Sequence, residues 1–189
     1  MSTSISICVG VISLVCMIVS YSVLSGSVTN TVSKQSAENM ITALDGQANL
    51  IDLFVSDSET IMKEYGTAHE LKELLLDPEN PEKIAVAQAY TEKYFGNLYQ
   101  WEGVYLSNWD TKVLAHSSAG AVGMVTRIGD ALAPYRATMT SAPGGFYNGG
   151  AFVSPASKQL IFNLRMAIYS DEKEPIGLVG GGPFLSFRV

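Results

Sequence analysis

The chain has 189 residues, with 18 acidic against 12 basic side chains and a formal charge of −6. That balance leaves no electrostatic footprint for a nucleic-acid backbone, so a nucleic-acid partner is set aside. Both cysteines, Cys8 and Cys16, lie near the N-terminus, so the rest of the chain can build neither a disulfide framework nor a thiolate metal site.

The first charged side chain is Lys34, and Ile5 to Val28 is an uncharged, apolar-rich run. At ~1.5 Å rise per residue, a helix of that length crosses a ~30 Å hydrocarbon layer. Ser6, Ser13, Ser20 and Ser22 dilute the run, but serine hydroxyls bond back to the preceding turn and leave the backbone satisfied in lipid. A cleaved secretory signal is the rival reading, and it lacks the Lys or Arg expected on the N-terminal flank. A membrane anchor over 1–32 is therefore expected. The same lack of basic residues gives the positive-inside rule nothing to count there. About 155 residues remain, enough for one domain with a real core.

From Ser33 to Leu76 there is no proline, and Ile41, Leu44, Ala48, Ile51, Val55, Ser58, Met62 and Tyr65 recur at alternating spacings of three and four. This pattern predicts a long amphipathic helix over 33–76 that leaves the membrane as a stalk and packs on a sheet, a sister helix, or both. Gly46 and Gly66 weaken it locally, and Asp77-Pro78-Glu79-Asn80-Pro81 ends it. A second helix is expected from Glu82 to Phe95. Strands follow at Glu102 to Ser107 and Thr111 to His116 around Asn108-Trp109-Asp110. Next comes a helix from Gly129 or Asp130 to Thr140, with Asp130 capping its first turn. Three strands complete the chain, Phe146 to Ser154, Leu160 to Ser170 and Pro175 to Gly182, joined by turns at Ser154-Pro155-Ala156-Ser157 and Asp171-Glu172-Lys173-Glu174. The fold class that results is α+β, a transmembrane helix continuing into a long amphipathic helix packed on a five-stranded antiparallel sheet.

Several stretches in this order carry a resemblance: Asn108-Trp109-Asp110-Thr111-Lys112-Val113-Leu114-Ala115-His116, Thr126-Arg127-Ile128-Gly129-Asp130, Tyr147-Asn148-Gly149-Gly150, Val153-Ser154-Pro155-Ala156-Ser157 and Ile176-Gly177-Leu178-Val179-Gly180-Gly181-Gly182. The set resembles the extracytoplasmic Cache-type, PAS-like sensor domains of bacterial transmembrane receptors, especially those of methyl-accepting chemotaxis proteins. The resemblance implies a sensor domain over 33–183 outside the cell membrane and an N-terminus inside. It also implies a homodimer through the long helix and an output domain that this chain lacks. Residues 184–189 depart from the pattern and read as a truncated tail. The head of a histidine kinase or diguanylate cyclase is the alternative. A pilin-like subunit is a weaker one, since no Asp or Glu precedes Glu38.

In that family small molecules bind over the outer face of the sheet, and the corresponding wall here runs from Thr111 to Ser157. Arg127, at a loop-to-helix junction, is the candidate clamp for a ligand carboxylate, with an ion pair to Asp130 as its structural alternative. Tyr105, Trp109 and Tyr147 are candidate aromatic walls, or simply packing residues. Asn163 and Arg165 share a strand face and are read as a solvated edge. Amino-acid-binding members carry a tryptophan just after the arginine and an aspartate after the last strand. Here Arg127 has no such neighbour and Gly182-Pro183 stands in the aspartate region, so a carboxylate or another small metabolite is no less expected. No cofactor is expected. Catalysis is set aside because His69 and His116 have no second histidine or cysteine to complete a ligand set or nucleophile pair. Gly144-Gly145 and Gly180-Gly181-Gly182 lack the lysine and spacing of a phosphate loop.

Overall fold

The computed structural model describes residues 2–142, 145–154 and 157–185. By contacts the chain divides into a helical unit up to Leu53 and a compact head from Phe54. Helix α1 (Ser2–Gly66) supplies the first unit. It is long and apolar enough to cross a membrane, and its described apolar side chains there, from Leu14 to Leu53, are solvent-exposed in the single chain. The free thiol of Cys16 is exposed as well.

In the head, the expected helix over 33–76 is interrupted. Helix α1 stops at Gly66, and a separate helix α2 (His69–Leu76) follows a two-residue turn. The cause is packing. A side chain at position 66 would strike the Met166 methyl and the Val179 side chain, so the helix brings bare backbone to the sheet and then changes direction. The predicted seam is buried where it meets the sheet, with Ser58, Met62 and Tyr65 all inaccessible. Tyr65 bonds Thr91 Oγ1 at 2.9 Å. Since Thr91 donates its own proton to Ala87 O, the Tyr65 hydroxyl is the donor.

Helix α3 (Pro81–Gly96) starts where the proline-rich stop implied. Asn80 Oδ1 accepts from the amides of Glu82 and Lys83, and Pro81 occupies the first helical turn. The sheet comprises β1 (Trp101–Asn108), β2 (Val113–His116), β3 (Phe146–Val153), β4 (Leu160–Tyr169) and β5 (Pro175–Pro183). Its order is β2-β1-β5-β4-β3, and every pair is antiparallel. The five expected strands are present within a residue or two at their ends. Expected turn residues Pro155 and Ala156, the Gly144 of the first glycine pair, and tail residues 186–189 lie outside the described residues.

One face of the sheet carries the core. Val104, Leu106, Phe162, Leu164, Ile168 and Val179 pack with Met62, Tyr65, Leu71, Leu74 and Ala87 of the helices. Alternation along each strand sends the intervening side chains to the opposite face. That face is covered by helix α4 (Leu132–Ser141), which follows a 3₁₀ turn at Gly129–Ala131. Strand β5 is central and unusually glycine-rich, which a central strand tolerates where other groups approach it closely on both faces.

Candidate functional site

The register aligns one residue from each strand across the outer face. His116 pairs with Tyr105, Tyr105 with Gly180, Gly180 with Arg165, and Arg165 with Tyr147. Gly180 is required at the centre, because any Cβ there would enter the Tyr105 ring. With no side chain in the middle, Tyr105 and Arg165 close over the bare strand from either side. At the β2 end, the His116 ring stacks on Tyr105 with centroids 5.9 Å apart and planes at 10°.

Helix α4 places Tyr135 over this row. The Arg165 guanidinium lies 5.4 Å from the Tyr135 ring centroid and 5.9 Å from that of Tyr147. The Arg127 guanidinium lies 5.3 Å from the same Tyr135 ring. Two cations therefore share one aromatic ring. Neither forms an ion pair with any described Asp or Glu. The Nε of Arg165 is buried without an acceptor. Burial works against the charge of Arg165, but its interactions with Tyr105, Tyr135 and Tyr147 outweigh that, and its affinity for the proton is raised. Burial pushes the Tyr135 hydroxyl up to about 12, with both arginines pulling the other way.

Arg127 is held by its backbone. Thr111 Oγ1 accepts from the Arg127 amide at 2.9 Å and donates to the Arg127 carbonyl at 3.0 Å. Thr111 is fully buried and stands at φ 62°, a left-handed conformation that is costly for a β-branched residue. The strain is tolerated where the chain needs the 126–128 loop fixed against the β1–β2 turn. The guanidinium itself donates to Thr126 O at 2.7 Å, and its approach to Tyr135 is the other contact that orients it.

Of the sequence candidates, Arg127, Tyr105 and Tyr147 converge on this face. Asp130 does not join them: it is exposed in the 3₁₀ turn, pairs with no arginine, and does not cap α4, whose N-cap is Ala131. The 3₁₀ turn advances the chain before the α-helix begins, which moves the cap one residue beyond the expected position. Trp109 belongs to a neighbouring clasp. Arg136 donates to the Trp109 carbonyl at 2.9 Å, lies 5.8 Å from the indole, and pairs with Asp110, fastening α4 to the β1–β2 turn. The solvated-edge reading of Arg165 is corrected. Strand β4 is flanked by β5 and β3, so Arg165 is half-buried near the middle of the sheet rather than on its rim. Tyr135 was missed, since a single tyrosine in the short helix LAPYRATMTS carries no sequence signal of its own. Tyr147 also borders a cleft of about 420 Å³ lined by Glu59, Thr138, Ser141 and Asn148.

No protein-family profile matches this sequence, and no curated protein matches it. Solved structures do. The sensor domain of the V. cholerae histidine kinase DctB superposes with a TM-score of 0.61 at 18% identity, over 76% of this chain and 54% of that one. The extracellular domain of the histidine-kinase candidate vpHK1S-Z8 gives 0.62 at 10% identity, over 80% and 60%. The ligand-binding domain of the Campylobacter jejuni chemoreceptor Tlp3, in complex with 4-methylisoleucine, gives 0.51 at 19% identity, over 71% and 52%. The chain thus spans little more than half the length of these sensor domains. Its fold is that of the PAS-like, Cache-type sensor domains found in both histidine kinases and chemoreceptors.

Proposed function

We propose that this chain is the extracytoplasmic sensing head of a bacterial transmembrane receptor, and that it binds a small acid between the sheet and α4. The observation that supports the reading is the pair of guanidinium groups on the Tyr135 ring, without a carboxylate partner among the described residues and with one buried donor unused. A cation–π contact contributes ~0.5–2 kcal/mol, whereas a hydrogen bond to a charged partner contributes about 1.5–3 kcal/mol and a guanidinium offers two in parallel. A carboxylate therefore competes successfully with Tyr135 for each arginine. Binding moves the ring, and with it α4, which converts occupancy into displacement. The site binds and does not catalyse.

The apolar helix near the N-terminus supports a membrane anchor. The exposed seam residues Ile41, Leu44 and Ile51 support a homodimer formed through α1. Within the receptor class we favour a chemoreceptor output over a kinase or cyclase. Coding sequence downstream of Val189 specifying a second apolar span and long heptad helices supports that choice, and a kinase or cyclase domain there overturns it. For binding, a soluble fragment from Ser33 is expected to melt at higher temperature with at least one small carboxylic acid, since only the native state binds. Arg127→Ala removes the shift without lowering the ligand-free melting point. A variant that melts early in ligand-free buffer makes Arg127 a structural residue instead.

A further inference from the structure

We infer that a second small-molecule site lies on the opposite side of the sheet, where α1 ends, and that it takes an amphipathic monoanion, a carboxylate carried on an aryl or branched-alkyl body. A cleft of about 390 Å³ opens there between the last turn of α1, helix α2 and the end of β4. None of the arginines and tyrosines of the outer row lines it, so the inference stands apart from the acid site beneath α4. The floor of the cleft is apolar. Phe146 is in register with Met166, and Ile168 follows two residues on, so all three face α1. Gly66 keeps the space open, because a side chain at that position would run into the Met166 methyl. Met166 is only half-buried despite facing the helix, and its unbranched thioether can repack around an aromatic or aliphatic guest. Tyr169 stands at the rim, 38% exposed.

The polar side of the cleft is positive by one charge. Lys63 and Lys72 both line it. Lys72 pairs with Asp171, whereas Lys63 has no ion pair among the described residues. The acids nearest in sequence are turned elsewhere: Glu64 and Glu70 act on Tyr90, Glu64 also on Tyr94, and Glu59 lines the cleft beside Tyr147. The carbonyl end of a helix repels an anion, but here those carbonyls are occupied. The amide and hydroxyl of Thr67 donate to Lys63 O at 3.0 and 2.8 Å, the same hydroxyl reaches Glu64 O at 3.2 Å, and the Ala68 amide donates to Tyr65 O at 3.3 Å. One unmatched ammonium beside an apolar floor matches one anionic group on an apolar body. A bare carboxylate would leave the floor empty, and an amine would meet Lys63 as a like charge.

Methyl NMR of the full chain in uncharged detergent micelles, isotope-labelled at the methionine methyls, tests the site directly. The probes are 3-phenylpropionate, the matched alcohol 3-phenylpropanol, the matched amine 3-phenylpropylamine, and acetate, each compared at equal free concentration after dialysis. Met166→Leu assigns the Met166 signal. The aryl acid is expected to shift that signal, to show a nuclear Overhauser contact from its ring to the Met166 methyl, and to bind about fivefold tighter than the alcohol, the margin of one partly exposed charge pair. The amine binds more weakly than the alcohol, and acetate leaves the signal in place. Lys63→Gln erases the difference between acid and alcohol, and Lys63→Arg keeps it. Because Lys63 is exposed, both variants melt with the parent. Equal binding of acid and alcohol, or a Lys63→Gln variant that retains the difference, overturns the assignment to an anion held by Lys63. A Met166 signal that no probe moves overturns the site itself. The acid site under α4 is read separately, by the melting shift that Arg127→Ala removes, so either failure here leaves that proposal to its own test.

Discussion

Replacing Arg165 with methionine separates a binding residue from a structural one, because the two roles predict different stabilities for the empty head. Methionine keeps the length and fills the same space without a charge. The loss is contact with the Tyr135 and Tyr147 rings, at 5.4 and 5.9 Å, and a weak polar approach to the Tyr105 and Tyr135 hydroxyls. Such contacts contribute ~0.5–1 kcal/mol each, toward ~2 when desolvated. The gain is removal of a buried Nε–H that has no acceptor, a group that costs about 1–3 kcal/mol to leave unsatisfied. The opposing quantities are similar, so Arg165→Met should change ligand-free stability by no more than about 1 kcal/mol while abolishing acid binding. For a head of this size that is about 2–4 °C in melting temperature. A buried arginine anchored by a carboxylate costs about 3–5 kcal/mol when one partner is removed, or roughly 10 °C. Thermal and urea unfolding of the fragment from Ser33, with and without a small acid, read both quantities. A fall of that larger size in ligand-free buffer refutes the argument, because it would mean that Arg165 is held by partners rather than left open for a ligand.

Gly180→Ala places a methyl group inside the Tyr105 ring and should cost about 1–3 kcal/mol in urea unfolding; in a Tyr105→Ala background most of that penalty should vanish, and simple additivity would show that the ring is not what constrains position 180. Thr111→Ala removes both hydrogen bonds to the Arg127 backbone without relieving the left-handed conformation, so it should cost about 1–2 kcal/mol and weaken acid binding, whereas Thr111→Ser should retain both properties. His116 is held below its ordinary pKa, first by burial, with Glu102 opposing; its Nδ1 accepts from the Ser118 amide, which requires the neutral ring, so the unfolded chain binds the proton more readily. Its contribution to stability should be complete above about pH 6.5, the unfolded value, and lost as pH falls through the lower folded value. His116→Asn should flatten melting temperature against pH across that window, and an unchanged slope would place the dependence elsewhere.

The fold was legible because its signals are periodic. The three-four spacing from Ile41 to Tyr65, the proline stop at Asp77 to Pro81 and the three C-terminal strands each involve many residues acting alike. The break at Gly66 was half visible, since glycine weakens a helix, but whether the helix stops there depends on Val179 and Met166, far along the chain. The site was less legible for the same reason. Arg127 stood out at a loop-to-helix junction, while Arg165 reads as an edge residue until the strand order is known. Strand β4 is fourth in sequence yet lies inside the sheet, because β5 inserts between it and β1. Tyr135 acquires meaning only once α4 is laid across that face.

The placement of β5 also explains how one thin layer can serve two purposes. Successive residues of a strand face opposite sides, so Val179 and Gly180 are neighbours in the chain but belong to different surfaces. Val179 packs where α1 ends, at Gly66. Gly180 lies beneath Tyr105, in register with Arg165. Because Gly180 has no side chain, the Tyr105 ring rests directly on the strand and cannot shift toward it. Because Gly66 has none, the helix backbone packs against the Val179 and Met166 side chains on the other side. A close-packed interior has little room to absorb strain, so a ligand that repositions Tyr105 or Arg165 acts on a strand already in contact with α1. Gly66, on the face away from the binding row, is therefore the position where added bulk should separate ligand binding from its effect on the helix.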